Sequence, residues 1–465
     1  MPSALKPYRI ATLPDPPSSF LKILGPSFII LGLGLGSGEI ILWPYLVSNF
    51  GLGIIWAAVL GITFQFFINM EIERYALVRG ESIFVGFARM ARFLPYWFIF
   101  STFIGFGWPG IIAASAKIFS QILGVESFQY LGIACLILIG AILTLGPILY
   151  KTVERFQKTV ILIGVPSLLA VTVAIATKSD YVALAHGVVG IGDEFLFLPA
   201  GISLLTFLGA FAFSGAGGNL NLSQSFYIKE KGYGMGKYAG KIQSLLTGKV
   251  EEIELEGTTF ATDAHAIANF KKWWHIINVE HFIVFLVTGI ISILLLALLA
   301  YSTTYGNPSN APSIDFIVNE AISIGDRLFP AAGVFFMILT GTLLFATQFA
   351  VLDSTSRIIS ENVILTRPHK FSTRAIPRAY YLTLWVQIAF GIGVFLLGLK
   401  DPRTLVTLAA VINAFAMFVH IGLTYLLNNK NLPSIVAPSR PKRILMIMIF
   451  IFFGAFSIFS VLKSF

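Results

Sequence analysis

The side chain that most needs a reason is Glu39. It follows Gly36, Ser37 and Gly38 inside GPSFIILGLGLGSGEIILWPYLVSNFG (25–51), an otherwise apolar segment long enough to cross a membrane. A helix in hydrocarbon keeps its backbone polar groups bonded internally. Clustered glycines and a carboxylate at mid-depth are therefore costly unless that backbone faces protein or a water-filled cavity. We read the stretch as a broken helix with a binding role, in which Gly36, Ser37, Gly38 and Glu39 offer backbone and side-chain ligands. A second stretch has the same character. In GISLLTFLGAFAFSGAGGNLNLSQSFYIKEKG (201–232), an apolar run is interrupted by Ser214, Gly215, Ala216, Gly217, Gly218 and Asn219. Each glycine costs about 1 kcal/mol of helix stability relative to alanine, so three of them beside an asparagine point to an unwound binding segment.

Other polar residues in apolar surroundings extend this set. Gln348 lies in ATQFAVLDSTSRIISEN, upstream of Asp353, which has Arg357 four residues later. That spacing allows an intrahelical ion pair as well as a coupling role for Asp353. Asn413 and His420 are seven residues apart and share one helix face, as inter-helix hydrogen bonders or as handlers of substrate and protons. Glu71, Glu73, Arg74 and Arg79 fall near the inner end of their helix, as solvated or paired charges (Glu71 with Arg74) or as parts of an inner gate. Glu280 with His281 reads as an interfacial pair, and Pro109 in GFGWPG as a kink or packing site. Asp180, His186, Asp193 and Glu194 are metal-ligand types without the spacing of a compact site, so they are expected in a solvated loop. The acidic patch Glu251, Glu252, Glu254 and Glu256 likewise reads as a solvated face. Cys135, the single cysteine, has no partner in the chain, which excludes an internal disulfide and a cysteine metal cluster.

The elements that must hold these residues are membrane helices. The chain has 465 residues, of which 56% are hydrophobic and 12% charged, and a mean hydropathy of +0.83. That is an all-α integral membrane protein embedded in a lipid bilayer. The apolar runs place eleven helices near 22–48, 52–77, 96–120, 129–149, 157–177, 199–228, 274–302, 329–358, 377–399, 403–427 and 443–462. Residues 1–21 read as a short irregular leader without a cleavable signal, YKTVERFQK as a basic loop before helix 5, and 229–272 as a long cytoplasmic loop. Trp273, Trp274 and His275 mark the membrane interface at the start of helix 7, and 443–462 is peripheral. With the N-terminus in the cytoplasm, 26 of the 32 basic residues fall on the inner side, which puts the C-terminus on the opposite side. The net charge of +9 is therefore a topology signal and does not call for nucleic acid.

Helices 1 and 6 are both interrupted, with five helices in each period. Five is odd, so two five-helix units, 22–177 and 199–427, enter the membrane from opposite sides. This is the inverted-repeat plan of secondary transporters, which bind substrate near the midplane between unwound segments and work by alternating access. No GxxxxGK[ST] motif occurs, which argues against an ATP-driven pump. Neither a cofactor nor an enzymatic activity is called for.

On these residues the chain resembles the Nramp family of proton-coupled divalent metal transporters. The likeness rests on GPSFIILGLGLGSGEI, the eleven-helix count and the helix 6 run ending in Asn219, and it covers nearly the whole chain. It implies a LeuT-like 5+5 inverted repeat with one extra C-terminal helix. The family's Asp-Pro-Gly-Asn motif in helix 1 falls on Gly36, Ser37, Gly38 and Glu39, where only a glycine matches. Its Met-Pro-His-Asn motif in helix 6 falls on Ala216, Gly217, Gly218 and Asn219, where only the asparagine matches. With the binding aspartate and the methionine sulfur missing, hard ions such as Mg²⁺ or Mn²⁺ are favoured over softer metals. Glu39 and Asn219 are then the metal-ligand candidates, and Glu39, His420 and Asp353 the coupling candidates. GLGLGSGEI also looks like the helix 1 segment of amino acid and polyamine carriers, whose exposed amides bind a substrate carboxylate. A small organic solute is the alternative cargo. A sensor or receptor reading has no support, since the chain has no sizeable soluble output domain.

Overall fold

The computed structural model describes residues 5–17, 19–146, 148–242, 254–310, 313–368 and 375–464. Glu251 and Glu252 of the acidic patch lie outside the described residues. Among the described residues, ten helical stretches are long and apolar enough to cross a membrane: helix 1 (Pro26–Phe50), helix 2 (Leu52–Arg79), helix 3 (Leu94–Leu123), helix 4 (Phe128–Leu145), helix 5 (Leu149–Ile175), helix 7 (Ala264–Thr304), helix 8 (Pro330–Thr366), helix 9 (Ala375–Leu396), helix 10 (Pro402–Asn431) and helix 11 (Arg440–Phe459). Helix 6, the remaining one of the eleven expected helices, is built from three short pieces, Leu204–Ala212, Gly218–Ser223 and Gln224–Lys231.

The burial of helix 1 sets it apart. Ninety-four per cent of its most apolar window is enclosed by protein, against 28% for helix 4 and 33% for helix 11. A helix whose every face is covered needs no amphipathic pattern, and Pro26–Leu42 shows none. Its first half packs on helices 5 and 8 and on the last piece of helix 6, and its middle packs on helices 7 and 8 and the first piece of helix 6. Helix 11 docks mainly on helix 10 at the edge.

Several boundaries differ from expectation, for one shared reason. Helix 5 begins at Leu149, so YKTVERFQK is its first turns and not a loop. There Leu149, Tyr150, Val153, Glu154 and Gln157 are buried, and tertiary packing carries a polar start that periodicity alone ends. Helix 7 begins at Ala264 behind an Asp263 cap, ten residues earlier than read. Trp273 is accordingly buried, and its indole N–H donates to the Pro14 carbonyl at 2.6 Å. The leader is largely irregular among the described residues, but it is tied down at one point. Arg9–Ile10 pairs in parallel with Thr258–Thr259, and Arg9 meets Glu254 of the acidic patch at 2.6 Å.

The segment after helix 5 also departs from the loop reading. It contains a helix, Lys178–Val188, opened by a Thr177/Asp180 capping box. Helix 3 breaks between Phe106 and Gly110, around Pro109, as the GFGWPG sequence requires.

Candidate functional site

The interruption in helix 1 takes the form of a changed hydrogen-bond register. Leu35 N–H still bonds four residues back to Leu31, whereas Leu35–Leu42 is π-helical and Trp43 N–H reaches five residues back to Gly38. The π turn widens the helix at Gly36–Glu39 without exposing a run of bare backbone. Single π turns inside α-helices are frequent at functional sites. The glycines serve close approach. A Cβ on Gly34 would lie 2.7 Å from the Gly215 backbone, one on Gly36 would lie 2.7 Å from the Thr347 side chain, and one on Gly38 would overlap the Phe213 carbonyl.

Helix 6, by contrast, opens. Its first piece ends at Ala212, residues 213–217 are not helical, and Gly215, Gly217 and Gly218 have φ of +126°, +71° and +51°, values that favour glycine. The gap is spliced by Gln65 of helix 2. Its amide donates to the Ala212 carbonyl at 3.0 Å, and its oxygen accepts from Gly217 N–H at 3.0 Å. Two backbone groups freed by the break are thereby satisfied. The two interrupted helices are tied directly, since the Trp43 indole donates to Ser214 Oγ at 2.9 Å.

Most of the predicted polar residues fall into two places. Ser37 and Gln348 line one small cavity of about 20 Å³ with Gly105, Phe106, Trp108 and Phe213, between helices 1, 3, 6, 8 and 10. That is room for about one water or a dehydrated ion. Asn219, Asn413 and His420 form a polar seam beside it. Asn219 donates to Ser101 and Thr102 of helix 3 at 2.8 and 2.9 Å, Asn413 donates to the Gly105 carbonyl at 2.8 Å, and His420 Nε2 lies 3.0 Å from the Gly218 carbonyl. The shared face of Asn413 and His420 thus meets helix 6 at Gly218, the inter-helix bonding that their spacing allows. Oδ1 of both asparagines and His420 Nδ1 are buried without a hydrogen-bond partner. Ala216, the third position of the helix 6 run, is buried in the gap.

Glu39 lines neither place. It is fully buried, and neither carboxylate oxygen has a hydrogen-bond partner among the described residues. Asp353 stands apart from the midplane set. It pairs with Arg357 at 2.9 Å and accepts from Tyr380 at 2.9 Å, while Arg357 also pairs with Glu230. The Glu71–Arg74 pair forms at 2.9 Å, as the sequence allows. Among the described residues no group of three or more His, Cys, Asp or Glu could hold a metal ion, and Asp193 accepts from Tyr305 at 3.0 Å.

Three contributions escaped the sequence reading. Gln65 looked like one polar residue in an apolar helix, and its lone amide amid FQFF was the available signal. Ser101 and Thr102 gave none, since hydroxyls commonly satisfy themselves within membrane helices. The third is the cluster around His281. Glu280 and His281 are fully buried within the protein and join Ser27 and Glu73.

No family model matches the chain, and no curated protein matches it by sequence. Solved structures do match its fold. The Eremococcus coleocola manganese transporter, in a mutant form, is similar over 97% of this chain and 89% of its own, with a TM-score of 0.71 and 14% identity. Mhp1, a nucleobase-cation-symport-1 family transporter in a closed conformation with bromovinylhydantoin bound, covers 97% of this chain and 96% of its own at a TM-score of 0.53 and 12% identity. MhsT, in complex with L-phenylalanine, covers 94% and 98% at 0.53 and 14%. The chain is an integral membrane protein with an Nramp-like, LeuT-type fold.

Proposed function

We propose that this protein is a secondary active transporter that works by alternating access, carries a hard divalent cation and is coupled to protons through Glu39. The division into repeats 22–177 and 199–427, and the N-terminus in the cytoplasm, are parts of the same reading. One observation carries it: Glu39, at the π turn of the most enclosed helix, is fully buried with both oxygens unpartnered. An ionised carboxylate without a countercharge is very costly in such a place, so a proton or a cation must accompany it. A group that exchanges one for the other as access alternates couples the two fluxes. The neutral oxygens of Ser37 and Gln348 at the small cavity, with Asn219 in the seam beside it, suit a hard ion stripped of part of its water. The small size of the cavity lined by Ser37 and Gln348 favours an ion over an amino acid.

The test is uptake in proteoliposomes of Mg²⁺, Mn²⁺ and a panel of amino acids, with and without an inward proton gradient. Cation uptake stimulated by the gradient and reduced at least tenfold in Glu39→Gln is expected. Amino acid uptake without cation uptake transfers the site to the organic-solute reading. Unchanged uptake and pH dependence in Glu39→Gln removes Glu39 from it.

A further inference from the structure

The first turns of helix 1 are held by a buried ionisable cluster at the opposite end from the π turn's outer continuation. Ser27 Oγ donates to Glu280 of helix 7, and Gly25 N–H donates to the same carboxylate at 3.3 Å. His281 Nδ1 lies 2.7 Å from Ser27 Oγ and 3.3 Å from Glu73 of helix 2. Gln224 of helix 6 donates to that same Glu73 oxygen at 2.5 Å. Because the Ser27 hydroxyl proton is given to Glu280, Nδ1 carries the hydrogen that reaches Ser27 and Glu73. The imidazole is stacked between Phe66 and Phe285, with ring centroids at 5.4 and 4.7 Å. Directly after it, helix 7 is π-helical over Phe282–Val287. Four helices therefore meet at one histidine.

The charges around this cluster do not balance. No lysine or arginine lies within ion-pair distance of Glu73 or Glu280 among the described residues. From helix 5, Glu154 and Lys158 face the chain entering helix 1, and from the end of helix 6, Lys231 does. Both lysines bond the Leu24 carbonyl and share the Glu154 carboxylate, at 2.7 and 2.6 Å. Tyr233 bonds the Ile23 carbonyl, Tyr150 lies against Gly25, and phenols carry no charge at neutral pH. Glu230 and Asp353 both pair with Arg357 and Glu71 pairs with Arg74, so neither arginine is paired with Glu73 or Glu280. Counting both lysines against three carboxylates still leaves one negative charge. In addition, Glu73 Oε2 and His281 Nε2 are buried without partners.

We propose that Glu73, Glu280 and His281 form a second proton-binding site, a latch that holds the first turns of helix 1 closed while one proton is bound and releases them when that proton leaves. Opening hydrates the carboxylates, so the closed state binds more protons than the open one, and raising the pH favours opening. The site lies roughly 18 Å along helix 1 from Glu39 at 1.5 Å per residue, too far for the two to share a proton directly. The latch rests on the alternating-access reading, but its test does not require transport.

The experiment is hydrogen–deuterium exchange of the 25–34 segment in the full chain in lipid nanodiscs from pH 5 to 9, corrected for intrinsic exchange. Protection in the wild type is expected to fall up to about tenfold per pH unit over part of that range, the slope for release of one proton. Glu73→Gln and Glu280→Gln remove the buried charge while keeping the shape, so each is expected to hold its protection to high pH. Ser27→Ala, which leaves the charges in place, is expected to lose protection at every pH and keep the slope. A flat wild-type profile, or an unchanged slope in both glutamine variants, overturns the latch. The wild-type slope alone decides the matter if those variants do not fold. Glu39→Gln separates the two readings, since loss of uptake with the slope retained leaves the latch standing, and wild-type uptake with a flat slope sinks the latch alone.

Discussion

Helices 1 and 6 are both rich in glycine near their middles, yet one stays wound and the other opens. In helix 1 the glycines let three neighbours approach the backbone, and the strain of a widened turn is absorbed as a π register that leaves no bare run of amides. In helix 6 the glycines adopt positive φ, and the freed groups are met by a side chain from helix 2. Glycine therefore does two different jobs in one site. It removes a Cβ that would collide in helix 1, and it permits a conformation that other residues rarely adopt in helix 6. The wound helix keeps its carboxylate without a partner, while the opened one has its backbone capped. Glu39 is thus the less satisfied group, although its backbone is the more regular.

This contrast can be broken by substitution. Gly38→Ala is expected to have the largest effect, about 3 kcal/mol of destabilisation, because its Cβ meets the backbone carbonyl of Phe213, which cannot rotate away. Thermal unfolding in detergent measures it, and a loss below about 1 kcal/mol would show that the two breaks are not in forced contact. Gly217→Ala is expected to cost about 2 kcal/mol through its φ of +71°. An effect near zero would mean that the gap rewinds in alanine's favour. Ser214→Ala, which takes away the acceptor of the Trp43 indole bond with little loss of volume, is expected to cost about 1 kcal/mol and to loosen both breaks together in hydrogen exchange. Loosening of one break alone would show that the indole bond does not couple them.

The eleven helices, the positions of both interruptions and the peripheral place of helix 11 were legible in the sequence, because apolar length and glycines in the middle of apolar runs carry that information without reference to neighbours. The starts of helices 5 and 7 were not. Their first turns are polar, and burial of Tyr150, Val153, Asn269 and Phe270 by distant segments is what keeps them helical. Of the candidate site, Ser37 and Gln348 meet at one cavity and Asn219, Asn413 and His420 at one seam. Asp353 belongs to a separate ion-pair network, which its spacing from Arg357 already allowed.

Sequence alone determined that a carboxylate follows glycines in the middle of a membrane-length apolar segment and that a second glycine cluster follows five helices later, since composition and period fix order along the chain. Only the tertiary structure decided that helix 1 bulges while helix 6 unwinds, and that Ser27, Glu73, Glu280 and His281 share one buried cluster. Both outcomes depend on which backbone or side chain from a distant segment arrives to fill the gap or meet the charge. Residues more than 200 positions apart in the chain, such as Ser27 and His281, carry no local signal of that meeting.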